Sequence, residues 1–509
     1  MEALCSVSAG LWLVLGGVTV YLLYKRLTRK HVNLPPGPRG LCALLTTLRA
    51  MKNGTLHKVA GDWSEQYGEL VLCRTVMGDF CFLNSARLVR EMYASKDREQ
   101  LTNDRPWLFA GWFLLYGFKD LTTSDSNTSP DWPQRRRLFH QAVKFYGDGV
   151  ERFESTTQTE LRRLTVSIED SAGEEMDLEK LLSSSLLCVL TVLLTGQCPR
   201  PDSDLIQAIK DFDAAVNASF APSTDTMLAT FPFLRFLPGT SYREICQKLL
   251  STREVVMEEF FTRQKESHTP GQPRGIVDIF IDEQRKGENN WLTDDNIRCF
   301  TIDILSAAYM TSLQTMKALF LYLLHNPDVT RKVQQEIDEV IGNKRPPRVD
   351  DRRKLPYTEA VVMETLRYSS IIPLGVPHLA RSDVIIDGVT VPEGAMIFAN
   401  ARVLHRDPVM GDRPDLFRPE RFLDDATGDV LPVTHSRRQS LLPFGIGRRS
   451  CPGENFARTR IFLYVTTLLQ KFDILPPVEH ELPSPDPDLY TNGAVMEPTP
   501  YRLIFRPRD

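Results

Sequence analysis

Apolar positions along the chain recur mostly at helical spacing. Residues 155 to 265 read mainly as helices, and within them Leu186 to Leu194 is apolar on nearly every face, the pattern of a helix buried in a core. The longest run starts at a cap, Thr293-Asp294-Asp295, and ends at His325-Asn326-Pro327. At about 1.5 Å per residue it spans roughly 50 Å, enough to cross the molecule. It is apolar on most faces from Phe300 to Leu324, which makes it central. Asp303, Thr311, Ser312, Gln314 and Lys317 interrupt it, so it is not a membrane span. Further helices open at Leu355-Pro356-Tyr357 and at Glu454-Asn455-Phe456-Ala457. The second continues apolar through Ile461, Leu463, Val465, Leu468 and Leu469. Strand signals are short: Leu70 to Cys73, Phe80 to Leu83, and Val384 to Val391 around an Asp387-Gly388 hairpin turn. Tyr490 to Phe505 reads as another hairpin. The pattern predicts a mainly α protein with a small β-rich region and no internal repeat.

The first residues differ in kind. Ala3 to Tyr24 carries no charge and matches the roughly 20 residues that cross a bilayer. Lys25, Arg26, Arg29 and Lys30 follow directly, against a lone Glu2 on the other side. A positive flank stays cytosolic, so this stretch predicts a single-pass anchor with the body in the cytosol. A cleaved signal peptide is the alternative, but a basic leader and a small-residue cleavage site are both missing. Leu34-Pro35-Pro36-Gly37-Pro38-Arg39-Gly40 is stiff and reads as a spacer between anchor and body. The organisation expected is an anchor at 1–24, a basic and proline-rich hinge at 25–40, and one large domain at 41–509.

Composition adds limits. At 509 residues and 42% hydrophobic content the chain is an ordinary folded protein, and a net charge of −4 gives no footing for nucleic acid. Its nine cysteines are odd in number and widely spaced, with no C-x-x-C. That argues against a disulfide framework or zinc site and for a reducing compartment. Asn53, Asn127 and Asn217 head glycosylation sequons, which a cytosolic body leaves unused. Two apolar stretches need a partner surface. Arg105 to Phe118 holds Trp107, Phe109, Trp112, Phe113, Tyr116 and Phe118, either core or the wall of a pocket. Phe231 to Gly239 either packs inward or dips into the bilayer.

The candidate chemistry centres on Phe444-Gly445-Ile446-Gly447-Arg448-Arg449-Ser450-Cys451-Pro452-Gly453. Cys451 stands at the mouth of a helix, where free N–H groups favour a thiolate. Gly447 and Gly453 leave room for backbone to approach a flat ligand. A buried structural cysteine is the plain alternative. The whole pattern Phe-x-x-Gly-x-Arg-x-Cys-x-Gly resembles the haem-binding loop of the cytochrome P-450 family, the haem-thiolate monooxygenases, of the microsomal type. Trp132-Pro133-Gln134-Arg135-Arg136 resembles the family's propionate-binding pair, Trp132 and Arg136 lying four apart on one helical face. Ser306 to Ser312 resembles the oxygen-binding groove, with Ala307 and Thr311 in place, Ala308 where glycine is usual and Met310 where an acid is usual. Glu364 and Arg367, with Arg421 later, resemble the buried Glu-Arg-Arg network, and His378 matches a position that touches a propionate.

The resemblance implies haem b between the long helix and the cysteine loop. Cys451 would ligate the iron, and Phe444, Arg449 and Gly453 would contact the cofactor. Thr311 would carry the proton relay that Met310 cannot. It further implies insertion of one oxygen atom from dioxygen into a lipophilic small molecule, by hydroxylation or epoxidation. Electrons would come from an NADPH-dependent flavoprotein reductase, with cytochrome b5 as a further donor, at the endoplasmic reticulum membrane. Arg135, Arg137, Arg437, Arg438 and Arg448 are candidates for a basic docking patch. A haem-thiolate isomerase or lyase acting on a peroxide, or a non-catalytic haem protein, are the rivals; NADPH consumption with a reductase separates them.

Overall fold

The protein is described from a computed structural model, which covers residues 33–75, 77–125, 129–144, 151–199 and 204–508. The expected anchor at 1–24, the basic part of the hinge and the Asn127 sequon lie outside the described residues. Five helices position the site: α1 (Trp132–Val143), α2 (Leu178–Thr195), α3 (Asp294–His325), α4 (Pro356–Ser369) and α5 (Glu454–Lys471). α3 starts at the expected cap, where Thr293 and Asn296 satisfy one another's backbone in a capping box. Its residues from Ile304 to Leu323 are buried except Ala307, Ala308 and Thr311. α2 is long and apolar enough to cross a membrane, yet most of it is buried among neighbouring helices, as its all-round apolar pattern predicts. α2, α3 and α5 share one continuous apolar core.

The small β region flanks this core. Strands β1 (Leu70–Thr75) and β2 (Gly78–Leu83) pair antiparallel. β2 runs parallel to β4 (Met396–Ala399), which pairs antiparallel with the short β3 (His378–Leu379). The hairpin at Val384–Ile386 and Val389–Val391 turns at Asp387 and Gly388, both with positive φ, as a two-residue turn of this hand requires.

Three expectations are corrected. The proline run is not a free spacer: Pro36 and Pro38 carbonyls accept the Leu72 and Arg74 amides, so the segment zips along the edge of β1. A Cβ on Gly37 would stand 2.4 Å from the Leu72 carbonyl, which is why glycine occupies that position. The tail turns back on itself only at one bridge, where Thr491 and Glu497 exchange backbone hydrogen bonds, and its strand pairs elsewhere. Arg502–Pro507 pairs with Phe472–Leu475 and Glu175–Asp177, strands far away in sequence whose pairing no local pattern announces. Cys188 and Cys198 form a disulfide, against the expectation of none. α2 ends at Gly196 in the left-handed conformation, and the chain turns back to bring residue 198 beside residue 188.

Candidate functional site

The cysteine loop enters α5 through a tight bend. Gly445 and Gly447 have positive φ, and Cys451 donates its amide to the Phe444 carbonyl at 2.8 Å. A Cβ on Gly447 would meet the Tyr93 carbonyl at 2.2 Å, so this glycine makes room for neighbouring backbone rather than for a flat ligand. Cys451 is exposed. Its thiol is nevertheless pushed up by burial, which outweighs the lowering by the Gly453 amide and the Arg136 charge. The Phe444 ring lies beside the Arg458 guanidinium, 5.0 Å from its centre.

On α3, Thr311 donates its hydroxyl to the Ala307 carbonyl at 2.6 Å. These two residues and Ala308 form the open strip in the buried helix, and Met310 is buried. An open strip of small side chains in the middle of a core helix marks the wall of an internal slot. Asp303 stands one turn before Ala307 on the same row. Its carboxylate accepts the Leu121 amide at 2.8 Å and the Thr122 hydroxyl at 3.1 Å, tying that loop to α3. Burial, and then the charge of Asp120, raise the Asp303 carboxyl well above the usual range.

A dense group of cations gathers beside the cysteine loop. Trp132 begins α1, and its indole N–H donates to the Leu121 carbonyl at 2.9 Å. Asp131 stands at the cap, but its carboxylate is taken by Arg135 rather than by the helix end. Arg136 donates to the Ser450 carbonyl at 2.7 Å, one residue before the thiol. Arg449 lies over the Trp132 ring and donates to the carbonyls of Asn103, Leu121 and Ser124. Arg105, which sequence reasoning did not single out, is buried and donates to the carbonyls of Thr122, Val376 and Pro377. His378 is buried, its Nδ1 lies 2.8 Å from the Thr102 carbonyl, and its ring stacks on Tyr93. Burial holds Arg105 down to about 10, and burial followed by Arg105 holds Arg449 down to about 9. Burial, then Arg105, keeps His378 well below its ordinary value, so it is neutral. The arginines act on one another as like charges, and such a cluster suits a ligand that carries carboxylates.

The network behind the loop is complete. Arg367 grips Glu364 with two bonds of 2.7 Å, Arg421 adds one of 3.0 Å, and all three side chains are fully buried. The two arginines spend their other N–H groups on carbonyls of residues 405 to 416, which pins that segment. Of the five arginines expected as a basic patch, Arg137 and Arg448 are exposed. Arg135 is buried and paired with Asp131, and Arg437 and Arg438 are half-buried on backbone carbonyls of Arg421 and Leu431.

Opposite signals meet at the aromatic segment. Arg235, within Pro232–Phe236, lies within 6 Å of the rings of Phe109, Trp112, Phe113 and Phe236. Asp225, on the helix Pro222–Thr230, accepts the Ala110 amide at 2.7 Å. Trp107, Trp112, Phe231, Phe233, Phe236 and Leu237 remain exposed.

A thiol at the mouth of α5, an open strip on α3 and clustered guanidiniums are chemistry that would fit a planar, carboxylate-bearing iron cofactor. The profile of the Cytochrome P450 family matches residues 35–505. The chain belongs to that family, the haem-thiolate monooxygenases. It is similar to a farnesoate epoxidase of Bombyx mori, 30% identical with 96% of this chain and 97% of the relative covered. It is also similar to a vitamin D(3) 25-hydroxylase of Sus scrofa, 30% identical with 96% of each chain covered. Cytochrome P450 2D28 of Mesocricetus auratus is 29% identical, with 98% and 99% covered. The protein is an oxidoreductase of the monooxygenase class, with a haem-thiolate iron cofactor.

Proposed function

We propose that this protein binds haem b with Cys451 as the single protein ligand to iron, and oxidises a lipophilic small molecule by hydroxylation or epoxidation. The observation that carries this reading is the open strip Ala307-Ala308-Thr311 on a helix buried along the rest of its middle, together with the exposed Cys451 thiol. Bound haem supplies the iron that activates dioxygen. Arg105, Trp132, Arg136, His378 and Arg449 orient its carboxylates, and Phe444 and Gly453 line the thiol side. The buried apolar core around α3 keeps bulk water from the slot. Thr311 Oγ1 rests with its hydrogen on the Ala307 carbonyl; when it turns to ordered water it passes that proton on only as it takes another from a second water, so the hydroxyl is unchanged by the exchange. Met310 brings no proton to that exchange.

Access for the substrate runs between the aromatic segment at 107–118 and the turn at 231–237, whose exposed apolar side chains face the bilayer. Electrons arrive from an NADPH-dependent flavoprotein reductase that docks at Arg137 and Arg448, with cytochrome b5 as a second donor. The location is the endoplasmic reticulum membrane, with the catalytic domain cytosolic. Replacing Cys451 with Ser should abolish the red-shifted Soret band of the reduced carbon monoxide complex. Survival of that band would sink the assignment of the ligand. Brisk turnover of an organic hydroperoxide without reductase would replace the monooxygenase reading with the isomerase one.

A further inference from the structure

Arg460 is a charge in the wrong place. It sits in the apolar run of α5, fully buried, nine residues after Cys451. Three of the four other buried arginines among the described residues meet carboxylates: Arg367 and Arg421 share Glu364, and Arg135 holds Asp131, while Arg105 stands in the cation cluster on three backbone carbonyls. Among the described residues Arg460 forms no ion pair. Its guanidinium donates to the Ala308 carbonyl at 3.1 Å and to the Ser312 hydroxyl at 3.2 Å. Its Nε is buried with no hydrogen-bond partner among the described residues. The Phe153 ring lies 5.4 Å from the guanidinium carbon. Burial holds its pKa down to about 10, still well above neutrality, so the group stays charged.

A buried charge with two neutral acceptors and one orphaned donor is expensive to keep. Both acceptors belong to the turn of α3 that holds Thr311: Ala308 precedes it by three residues and Ser312 follows it. The same turn carries Met310, which brings no charge. We infer that Arg460 is a positioning residue for the oxygen-handling turn. Its Nη1, which donates to both, fixes the wall formed by Ala308 and Ser312, and its unbalanced positive charge biases the field in the slot beside Thr311. With haem bound, negative charge would build in that slot as dioxygen is reduced, and a fixed cation nearby would favour it without having to move. The placement also adds a polar link between the two halves of the site: α5 starts from the Cys451 loop, packs on α3 through the shared apolar core, and holds it at Ala308 and Ser312 through this side chain's two hydrogen bonds. This inference rests on the reading of the slot as the oxygen site.

The experiment uses the full-length haem-loaded protein, as wild type, Arg460→Met, Arg460→Lys, Ser312→Ala and Thr311→Ala. Two quantities are read: the stretching frequency of carbon monoxide on the reduced protein, and peroxide released per NADPH consumed with a reductase and one substrate. The stretch reports the local field, which a purely structural strut does not alter. Arg460→Met keeps the length and apolar stem and removes the charge. It should retain the red-shifted Soret band, move the carbon monoxide stretch to higher wavenumber, and raise peroxide release at least two-fold. Arg460→Lys should stay near wild type in frequency while losing coupling, because the charge remains but a flexible ammonium does not hold both acceptors in the fixed geometry of the planar guanidinium. An unchanged stretch and unchanged coupling in Arg460→Met would overturn the inference. If that variant does not fold, Arg460→Lys and Ser312→Ala decide, and wild-type coupling in both would overturn it equally. Unchanged coupling in Thr311→Ala would instead remove Thr311 from the relay, and the Arg460 frequency shift would stand or fall separately.

Discussion

The guanidinium of Arg449 lies 3.8 Å from the centre of the Trp132 ring, so the cysteine loop is stacked directly on the first turn of α1. The same guanidinium donates to three backbone carbonyls, two of them, Leu121 and Ser124, in the loop that leads to α1. Arg449 therefore joins two segments more than 300 positions apart. Arg449→Ala should remove three charge-assisted bonds and a cation–π contact, and lower stability by about 2–4 kcal/mol. Thermal unfolding together with haem content per protein checks this. Arg449→Lys should recover little, since an ammonium cannot fork onto three carbonyls.

Glu364 holds two guanidiniums that meet no other carboxylate among the described residues. Glu364→Gln leaves both charges buried without their partner. Removing one member of such a set costs roughly 3–5 kcal/mol. Soluble yield should collapse, or the denaturation midpoint fall sharply, while any protein that folds keeps its Soret spectrum. A variant with wild-type stability would show that the network carries no weight.

Asp225 gives a pH dependence with a definite sign. Burial raises its carboxyl from 3.8 to about 7, against the lowering by the Ala110 and Phe109 amides. The folded protein thus keeps a proton that the unfolded chain has released, from about pH 4 up to about 7. Between those values the folded state binds more protons, so stability falls as pH rises, and the penalty is complete above pH 7. Asp225→Asn removes the titration and retains an oxygen for the Ala110 amide. The variant should gain on the wild type at pH 8 by an amount on the order of a few kcal/mol, and gain little at pH 4. Denaturation midpoints measured across that range decide it; parallel curves for the two proteins would refute the assignment.

Arg235 ties the turn Pro232–Phe236 to the aromatic segment through three of its four ring contacts, those with Phe109, Trp112 and Phe113. Cation–π contacts are worth about 0.5–2 kcal/mol each. Arg235→Ala should speed both binding and release of a bulky lipophilic ligand several-fold and change its affinity much less. Stopped-flow recording of the Soret shift tests this, and identical rates in the two proteins would exclude these segments as the access route.

Asn53 is the sequon that bears on topology. Asn217 spends its side chain on Glu497 and on the Ala494 and Val495 amides, so it is closed to a glycan on either side of the membrane. Asn53 is exposed. A cytosolic body leaves it bare, and mass spectrometry of protein from eukaryotic cells should find no glycan there. A glycan on Asn53 would place the body in the lumen.

Local chemistry made much of this protein legible in the sequence. The cap at Thr293, the apolar faces of α2 and α3, the Asp387-Gly388 turn and the loop around Cys451 each depend on residues a few positions apart. Short-range periodicity and turn stereochemistry suffice to read them. What depends on distant segments was not legible. The strand at Arg502–Pro507 pairs with residues 30 and more than 300 positions away, and the proline run lies along β1 because of where the sheet edge falls. Gly447 was read as room for a ligand, but the space is taken by the Tyr93 carbonyl. Arg105 gave no sign of its place among Arg136, Arg449 and His378, and nothing in the sequence singled out Arg460. Whether a charge is buried, and against what, is settled by packing between elements, because desolvation depends on every neighbour in space and sequence spacing records only the nearest few along the chain.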